Sequence, residues 1–154
     1  MIEVTHHGSI AIMRMASGKA NAMSLEFCEL LSARFEELAA SSAHAIVIAG
    51  TGKIFSAGVD LFRLLDGGPA YIHKFLPALC SMFLSVFSCP KPVVAAINGH
   101  AIAGGCVLAC AADRRLMAQD GGRIGLTELL VGVPFLRLRW RSCAAQRRHD
   151  ISQM

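Results

Sequence analysis

Two glycine-rich segments are the places where the backbone of this sequence could do chemistry. GTGKIFSAG (Gly50–Gly58) and GHAIAGG (Gly99–Gly105) each follow a short apolar run and lead towards a predicted helix. A glycine lets a ligand approach the backbone closely, and an amide at a helix N-terminus has no intrahelical acceptor. Two such amides aimed at one point would form an oxyanion hole, which stabilises negative charge on a carbonyl oxygen.

The same geometry has two other uses. Helix N-termini also bind phosphate, but neither GxxxxGK[ST] nor GxGxxG occurs in the sequence, so the nucleotide-binding motifs are absent. Glycines also permit tight turns and close packing of a helix on a strand. On the pattern alone, an anion-stabilising site and a purely structural role for these glycines both remain open.

Two predicted strands position the glycine-rich segments. AIVIA (Ala45–Ala49) and VVAAIN (Val93–Asn98) are continuous apolar runs, as expected of strands covered on both faces. Each is followed by a glycine, a short connection, Ala-Gly and a predicted helix, and this partial repeat is typical of α/β folds. Because ligands of such folds bind beyond the carboxyl ends of the strands, both loops are predicted to face one crevice.

The rest of the pattern completes an α/β order of elements. Residues 2–5 and 9–15 are predicted to pair as a hairpin, and Ser24 is predicted to cap a helix that ends near residues 40–42. A further helix is predicted over Pro69–Ser88, kinked or split at Pro77. The remaining predicted elements are a short helix, Cys106–Ala112, and two short strands, Arg115–Ala118 and Arg123–Gly125.

Composition restricts the class of protein. The chain has 154 residues, of which 54% are hydrophobic and 17% charged, which fits one globular domain and excludes disorder. Of its two most apolar stretches, Phe75–Ser88 is too short to span a bilayer, and Pro92–Ala112 contains Asn98, His100 and several glycines. We therefore predict no membrane span. Six cysteines without a CxxC pair predict reduced thiols, no metal site and a cytoplasmic location.

The positive charge of the chain lies at its end. Residues 136–154 hold five of the 15 basic side chains and one of the 11 acidic ones, so residues 1–135 hold ten of each. We interpret residues 136–154 as an Arg-rich, non-homologous tail, a frameshifted or alternative end, and predict no nucleic-acid partner. An arginine-rich arm that binds nucleic acid is the competing interpretation.

Several motifs together resemble one superfamily. FSAGVDL (Phe55–Leu61), the segment Lys91–Ala118 and IGLTELLVGVPF (Ile124–Phe135) resemble the crotonase, or enoyl-CoA hydratase/isomerase, superfamily, and GKANAMS (Gly18–Ser24) resembles its early loop. The resemblance covers residues 1–135. It implies an α/β fold with a crotonase-like spiral core of repeated ββα units, ending before the C-terminal helical part. It also implies a partial acyl-CoA-binding domain, and a homotrimer or dimer of trimers for the full-length parent.

The resemblance also implies site residues. By position, the amides of Val59 and Gly104 would form an oxyanion hole for the thioester carbonyl of an acyl-CoA substrate. No separate cofactor is implied, because coenzyme A is part of that substrate. Asp113 is expected to be structural. The residues implied to line the coenzyme A site are Ala57, Gly58, Asp60 and Leu61, with Lys19, Lys53 or Arg63 as candidates for its phosphates; Asp60 is expected to brace its loop rather than react.

Glutamates decide which reaction the resemblance implies. Adding water to an enoyl thioester is a task for two carboxylates. The superfamily's hydratases carry one glutamate three residues after the oxyanion-hole glycine, where this sequence has Val107, and a second that matches Glu128. Burial of Glu128 among apolar residues would suit it to proton transfer, and an exposed acid at a helix start is the alternative. A single carboxylate fits double-bond isomerisation through an enolate better than hydration.

The sequence thus predicts an acyl-CoA-processing enzyme of the enoyl-CoA hydratase/isomerase type, with Glu128 as the acid and base. The alternative is a non-catalytic acyl-CoA-binding relative or an inactive truncated fragment. We also expect exposed apolar faces and a lower stability than that of the full-length parent. The acyl group itself is not predicted.

Overall fold

The computed structural model describes residues 1–18, 20–119 and 122–128, so the predicted tail and Lys19 lie outside the described residues. The described residues form eight strands and three helices. The strands are β1 (Ile2–His7), β2 (Ile10–Met15), β3 (Ala45–Ala49), β4 (Ile54–Ser56), β5 (Val93–Ile97), β6 (His100–Ile102), β7 (Arg114–Met117) and β8 (Ile124–Gly125). The helices are α1 (Leu25–Ala40), α2 (Leu61–Phe87) and α3 (Gly104–Ala111).

The strands form two sheets, and successive units of the chain add strands to both. A five-stranded sheet has the order β1-β2-β3-β5-β7, antiparallel only between β1 and β2, and a three-stranded parallel sheet has the order β4-β6-β8. The unit β3-β4-α2 therefore adds one strand to each sheet, and β5-β6-α3 repeats the addition. The predicted α/β fold with repeated ββα units is confirmed.

Helix α1 forms as its sequence predicts. The Ser24 side chain caps it by accepting a hydrogen bond of 3.2 Å from the amide of Phe27, and Glu26 lies in the first turn, where the helix dipole favours an acid. One face is buried and the glutamates of the opposite face are exposed. The buried side chains are Phe27, Cys28, Leu31, Phe35 and Leu38.

Helix α2 departs from the prediction at its start and at its break. It begins at Leu61, eight residues before the predicted start, because the Asp60 side chain caps it. The only non-helical backbone inside it is at Gly68 (φ 59°, ψ −161°), whereas Pro77 lies in helical backbone. The predicted split at Pro77 was therefore wrong. Glycine adopts this left-handed φ without the clash that a Cβ would cause, and a new helical stretch starts with Pro69.

Both glycine-rich segments contain a short strand that the sequence did not predict. Strands β4 and β6 pair because Gly99 packs against the carbonyl of Lys53, which a Cβ on Gly99 would strike. The amide of His100 donates to that carbonyl at 2.9 Å. Helix α3 consequently begins at Gly104, two residues before its predicted start. Strands β3 and β5 are fully buried on one face and half-buried on the other, so their predicted cover on both faces was only partly right.

Within the described residues, α2 is the one helix long and apolar enough to cross a membrane by length and composition. One of its faces packs into the core, although only 28% of the apolar window is buried. Core helices of soluble proteins, which are mostly buried, meet the same criteria of length and composition. The absence of a membrane span stays a prediction. The buried side chains of this face are Phe75, Leu79, Met82, Phe83 and Val86.

The buried thiol of Cys28 gives the fold a pH dependence. Burial, with smaller contributions from the charges of Glu29 and Glu26, raises the pKa of Cys28 from 9.0 to about 12. Above pH 9 the unfolded thiol loses its proton while the folded thiol keeps it, so folding is penalised. We expect this group's contribution to be intact below pH 9 and to fall by about 1.4 kcal/mol per pH unit up to pH 12.

Urea unfolding of the wild type and of Cys28→Ala, measured between about pH 8 and pH 10, checks this expectation. The variant loses stability at every pH through its cavity, but its curve should be flatter by the Cys28 contribution. Parallel curves for the two proteins would contradict the assignment.

Candidate functional site

The two glycine-rich loops meet at Gly58 and Gly104. Gly58 has φ +87°, and a Cβ built on it would lie 2.8 Å from the amide nitrogen of Gly104. A Cβ on Gly104 would lie 3.4 Å from the Cα of Gly58 and 3.7 Å from the amide nitrogen of Val59. Glycine at both positions permits this approach. The two loops therefore meet, and the amides of Val59 and Gly104 are neighbours. The predicted crevice in front of them stays a prediction.

The Val59 amide points away from the segment around Met23, which pairs with the Gly58 loop. Met23 forms a parallel bridge with Val59, in which the amide of Met23 donates to the Gly58 carbonyl at 2.8 Å and the amide of Asp60 donates to the Met23 carbonyl at 3.0 Å. In such a bridge the central residue directs its own N–H to the opposite side. Among the described residues, none accepts a hydrogen bond from the Val59 amide. It is therefore free to donate to a ligand.

The Gly104 amide is presented by a strained turn. Gly104 is the first residue of α3, so its N–H has no acceptor within the helix. Ala103 precedes it with φ 51° and ψ −121°, a conformation that costs a residue with a side chain about 1–3 kcal/mol. Two hydrogen bonds hold Ala103 in this turn. Its carbonyl accepts from the amide of Cys106 at 2.9 Å, and the amide of Ala103 donates to the Gly125 carbonyl at 2.9 Å. The strained residue, Ala103, thus directly precedes the Gly104 amide.

Glu128 approaches the same helix from β8. Strand β8 pairs with β6, and Glu128 follows three residues after Gly125 with helical backbone. Glu128 is half-buried, and its Oε2 atom is buried without a hydrogen-bond partner among the residues that the structure describes. The carboxylate lies near Cys106, since burial first, then Cys110 and the charge of Glu128, raise the pKa of the Cys106 thiol to about 11.

No carboxylate occupies the position that would complete a pair. Val107 lies on α3, half-buried and packed against the core. Asp113 is structural, as predicted, because its Oδ2 accepts a hydrogen bond of 2.8 Å from the amide of Val93.

The residues predicted to line a coenzyme A site differ in their exposure to solvent. Gly58 is buried and Asp60 half-buried, while Ala57 is exposed and Leu61 is 42% exposed. The Asp60 Oδ1 accepts from the amide of Arg63 at 3.1 Å, which caps α2 and agrees with the predicted bracing role.

The three predicted phosphate contacts differ in their surroundings. Lys53 is exposed, and Lys19 lies outside the described residues. Arg63 is already engaged, since its guanidinium donates to Glu26 at 2.7 Å and lies 5.9 Å from the centre of the Tyr71 ring. A cleft of about 510 Å³ opens beside this group. Its lining residues are Leu25, Glu26, Arg63, Asp66, Gly67, Ala70, Tyr71 and Lys74.

The sequence missed two residues that hold the Gly58 loop. Asn21 and Ser56 are the buried polar residues of the described chain, and they hydrogen-bond to each other and to the loop. Asn21 belongs to the GKANAMS segment, which was matched as a motif without a role. A signal was present, because asparagine tolerates the left-handed conformation that Asn21 adopts (φ 46°).

Repeated ββα units that each add one strand to two sheets define a crotonase-like fold. The sequence profile of the enoyl-CoA hydratase/isomerase family matches residues 5–139, and the chain belongs to this family. It is 32% identical over 136 residues to the mitochondrial enoyl-CoA delta isomerase 1 of Rattus norvegicus, covering 86% of this chain and 47% of the relative. It is 37% identical over 118 residues to a putative enoyl-CoA hydratase of Thermus thermophilus, covering 74% and 46%.

Solved structures agree with the family. The human mitochondrial delta3-delta2-enoyl-CoA isomerase superposes with a TM-score of 0.84 at 29% identity, over 88% of this chain and 54% of that one. An enoyl-CoA hydratase from Geobacillus kaustophilus gives a TM-score of 0.81 at 27% identity, over 86% and 51%. The chain spans about half the length of the relatives it matches.

Proposed function

We propose that this chain binds an acyl-CoA thioester and moves a double bond along its acyl group through an enolate. The amides of Val59 and Gly104 would donate to the thioester oxygen, and Glu128 would carry the proton. The observation that supports this most is the close approach of the amides of Val59 and Gly104, which have no acceptor among the described residues. The carboxylate of Glu128 acts on Cys106, on the helix that Gly104 begins. The isomerases among the relatives add support.

The proposed reaction needs one base and one oxyanion site. Glu128 removes a proton from the carbon next to the thioester of a β,γ-unsaturated substrate, and the electron pair moves onto the thioester oxygen. When the electrons return, the same carboxyl group gives the proton to the γ-carbon, and the double bond lies between the α- and β-carbons. No water, metal or redox partner enters this balance. Each oxyanion-hole donor contributes about 10²–10³ to such a rate.

Val107 supports isomerisation over hydration. Water attack requires a base to orient and deprotonate the water, and a valine side chain offers neither a hydrogen bond nor a proton acceptor. With a valine on the face of α3 one turn beyond Gly104, the site holds one carboxylate where hydration calls for two.

A panel of acyl-CoA thioesters tests the proposal, with double-bond migration and water addition followed on the same samples. We expect migration with β,γ-enoyl thioesters and water addition at least about 10²-fold slower, the size of one missing general base. Val107→Glu should raise water addition relative to migration, and Val107→Leu is the control for the change of volume. Faster water addition than migration in the wild type would contradict the proposal.

A non-catalytic acyl-CoA-binding protein is the second candidate. Val107 and the half-length match to the relatives favour it. Saturable binding of the thioesters without migration or water addition would support this second candidate against the first. The predicted homotrimer of the parent and the cytoplasmic location stay predictions.

A further inference from the structure

The described part of the chain buries two polar side chains, and both lie behind the Gly58 loop. Asn21 is 2% exposed and Ser56 is 0% exposed. Burying a hydroxyl or an amide lowers the stability of the fold unless the group is hydrogen-bonded. The hydrogen bonds of such groups therefore show which segments they fix. Here the bonds lead to Gly58, the residue before the Val59 amide.

Ser56 links two segments that are far apart in sequence. Its Oγ donates to the carbonyl of Asn21 at 2.8 Å and accepts from the amide of Gly58 at 3.1 Å. The Asn21 side chain is held in turn, because its Oδ1 accepts from the amide of Ser17 at 2.8 Å and its Nδ2 donates to the carbonyl of Phe55 at 3.1 Å. The Ser56 hydroxyl therefore donates to the carbonyl of a residue, Asn21, whose side chain is itself fixed by two hydrogen bonds.

We propose that Ser56, anchored by Asn21, is a positioning residue that fixes the direction of the Val59 amide. Gly58 joins two peptide planes and would otherwise rotate more freely than any other residue. Ser56 holds the plane before it through the Gly58 amide, and the Met23 amide holds the plane after it through the Gly58 carbonyl. The second plane contains the Val59 N–H. With both planes held, that N–H keeps one direction before any ligand arrives.

This inference rests on the proposed function, because a fixed direction matters only if the amide donates to a substrate. Oxyanion-hole donors stabilise a transition state best when they need no reorganisation during the reaction. Loss of the Ser56 hydroxyl should therefore weaken the polarisation of the thioester carbonyl more than it weakens binding of the whole substrate.

Ser56→Ala tests the inference, with Ser41→Ala as a matched control. The exposed Ser41 makes two similar bonds at the end of α1, where its Oγ donates to the Leu38 carbonyl at 2.8 Å and accepts from the Ala43 amide at 3.2 Å. It also accepts from the Lys91 Nζ at 3.5 Å. None of these bonds touches the Gly58 loop. The probe is butanoyl-CoA carrying ¹³C at the thioester carbonyl, and the readouts are its chemical shift when bound and kcat against KM for migration.

We expect the wild type and Ser41→Ala to move the carbonyl signal downfield equally, and Ser56→Ala to lose most of that movement. The kcat of Ser56→Ala should fall at least about tenfold, with KM within about threefold. If Ser56→Ala does not fold, Asn21→Gly replaces it. That variant keeps the left-handed backbone and the accepting carbonyl but removes the two side-chain bonds, so a partial loss of the shift is expected.

The two failures are distinguishable. If the wild type binds the probe without moving its carbonyl signal, the oxyanion hole and the proposed function fail, and the inference fails with them. If the wild type moves the signal and Ser56→Ala moves it equally, the oxyanion hole stands and the positioning role of Ser56 is overturned.

Discussion

Glu128→Gln is expected to abolish double-bond migration while acyl-CoA binding stays within about threefold of the wild type. Glutamine has the size and shape of glutamate, so the packing around the half-buried side chain is kept. An amide can neither accept a proton from the substrate nor return one. Loss of a general acid or base costs about 10²–10⁴ in rate, and Glu128 would serve in both proton transfers. Turnover and binding are measured on the same preparation.

Glu29→Gln is the control for this substitution. Glu29 lies on the exposed face of α1, so the same chemical change there should leave turnover unaltered. Unchanged migration in Glu128→Gln would remove this carboxylate from the mechanism, whatever the control shows. Equal losses of binding and turnover would instead assign Glu128 to substrate binding.

Gly104→Ala is expected to lower migration by about 10²–10³ with little change in the stability of the fold. The added Cβ would lie 3.7 Å from the Val59 nitrogen, so it would crowd one of the two proposed donors. Its tightest contact is the Sδ of the buried Met23 at 3.0 Å, so this flexible side chain must move by a few tenths of an ångström. Alanine is also favoured over glycine in a helix by about 1 kcal/mol, which offsets that shift. Urea unfolding and turnover together check the prediction.

Alanine substitutions at two other glycines serve as controls for this experiment. A Cβ on Gly125 meets nothing within 4 Å, so Gly125→Ala should keep both activity and stability. A Cβ on Gly105 would strike the carbonyl of Ser56, so Gly105→Ala should lower the free energy of unfolding as well as activity. Full activity of Gly104→Ala would show that the thioester oxygen does not bind between the two amides.

Most of the order of elements, with strands β4 and β6 as exceptions, could be predicted because its signals are local. The apolar runs of β3 and β5, the cap at Ser24 and the glycines of both loops are each visible within a few residues. The break in α2 shows where such signals compete. Pro77 looked like the stronger helix breaker, but Gly68 with the adjacent Pro69 marks the break, since the helical backbone around Pro77 persists within the packed face of α2.

The sequence by itself predicted the family, the two glycine-rich loops, and a valine, Val107, at a position where the resemblance implies a glutamate. Those features depend on residue type and spacing along the chain. Only the tertiary structure decided that, among the described residues, the Val59 amide and one buried oxygen of Glu128 have no hydrogen-bond partner. It alone also showed that Ser56 reaches Asn21 across 35 residues. The reason is physical: hydrogen-bond direction and burial are set when distant segments pack together, and no local pattern encodes that packing.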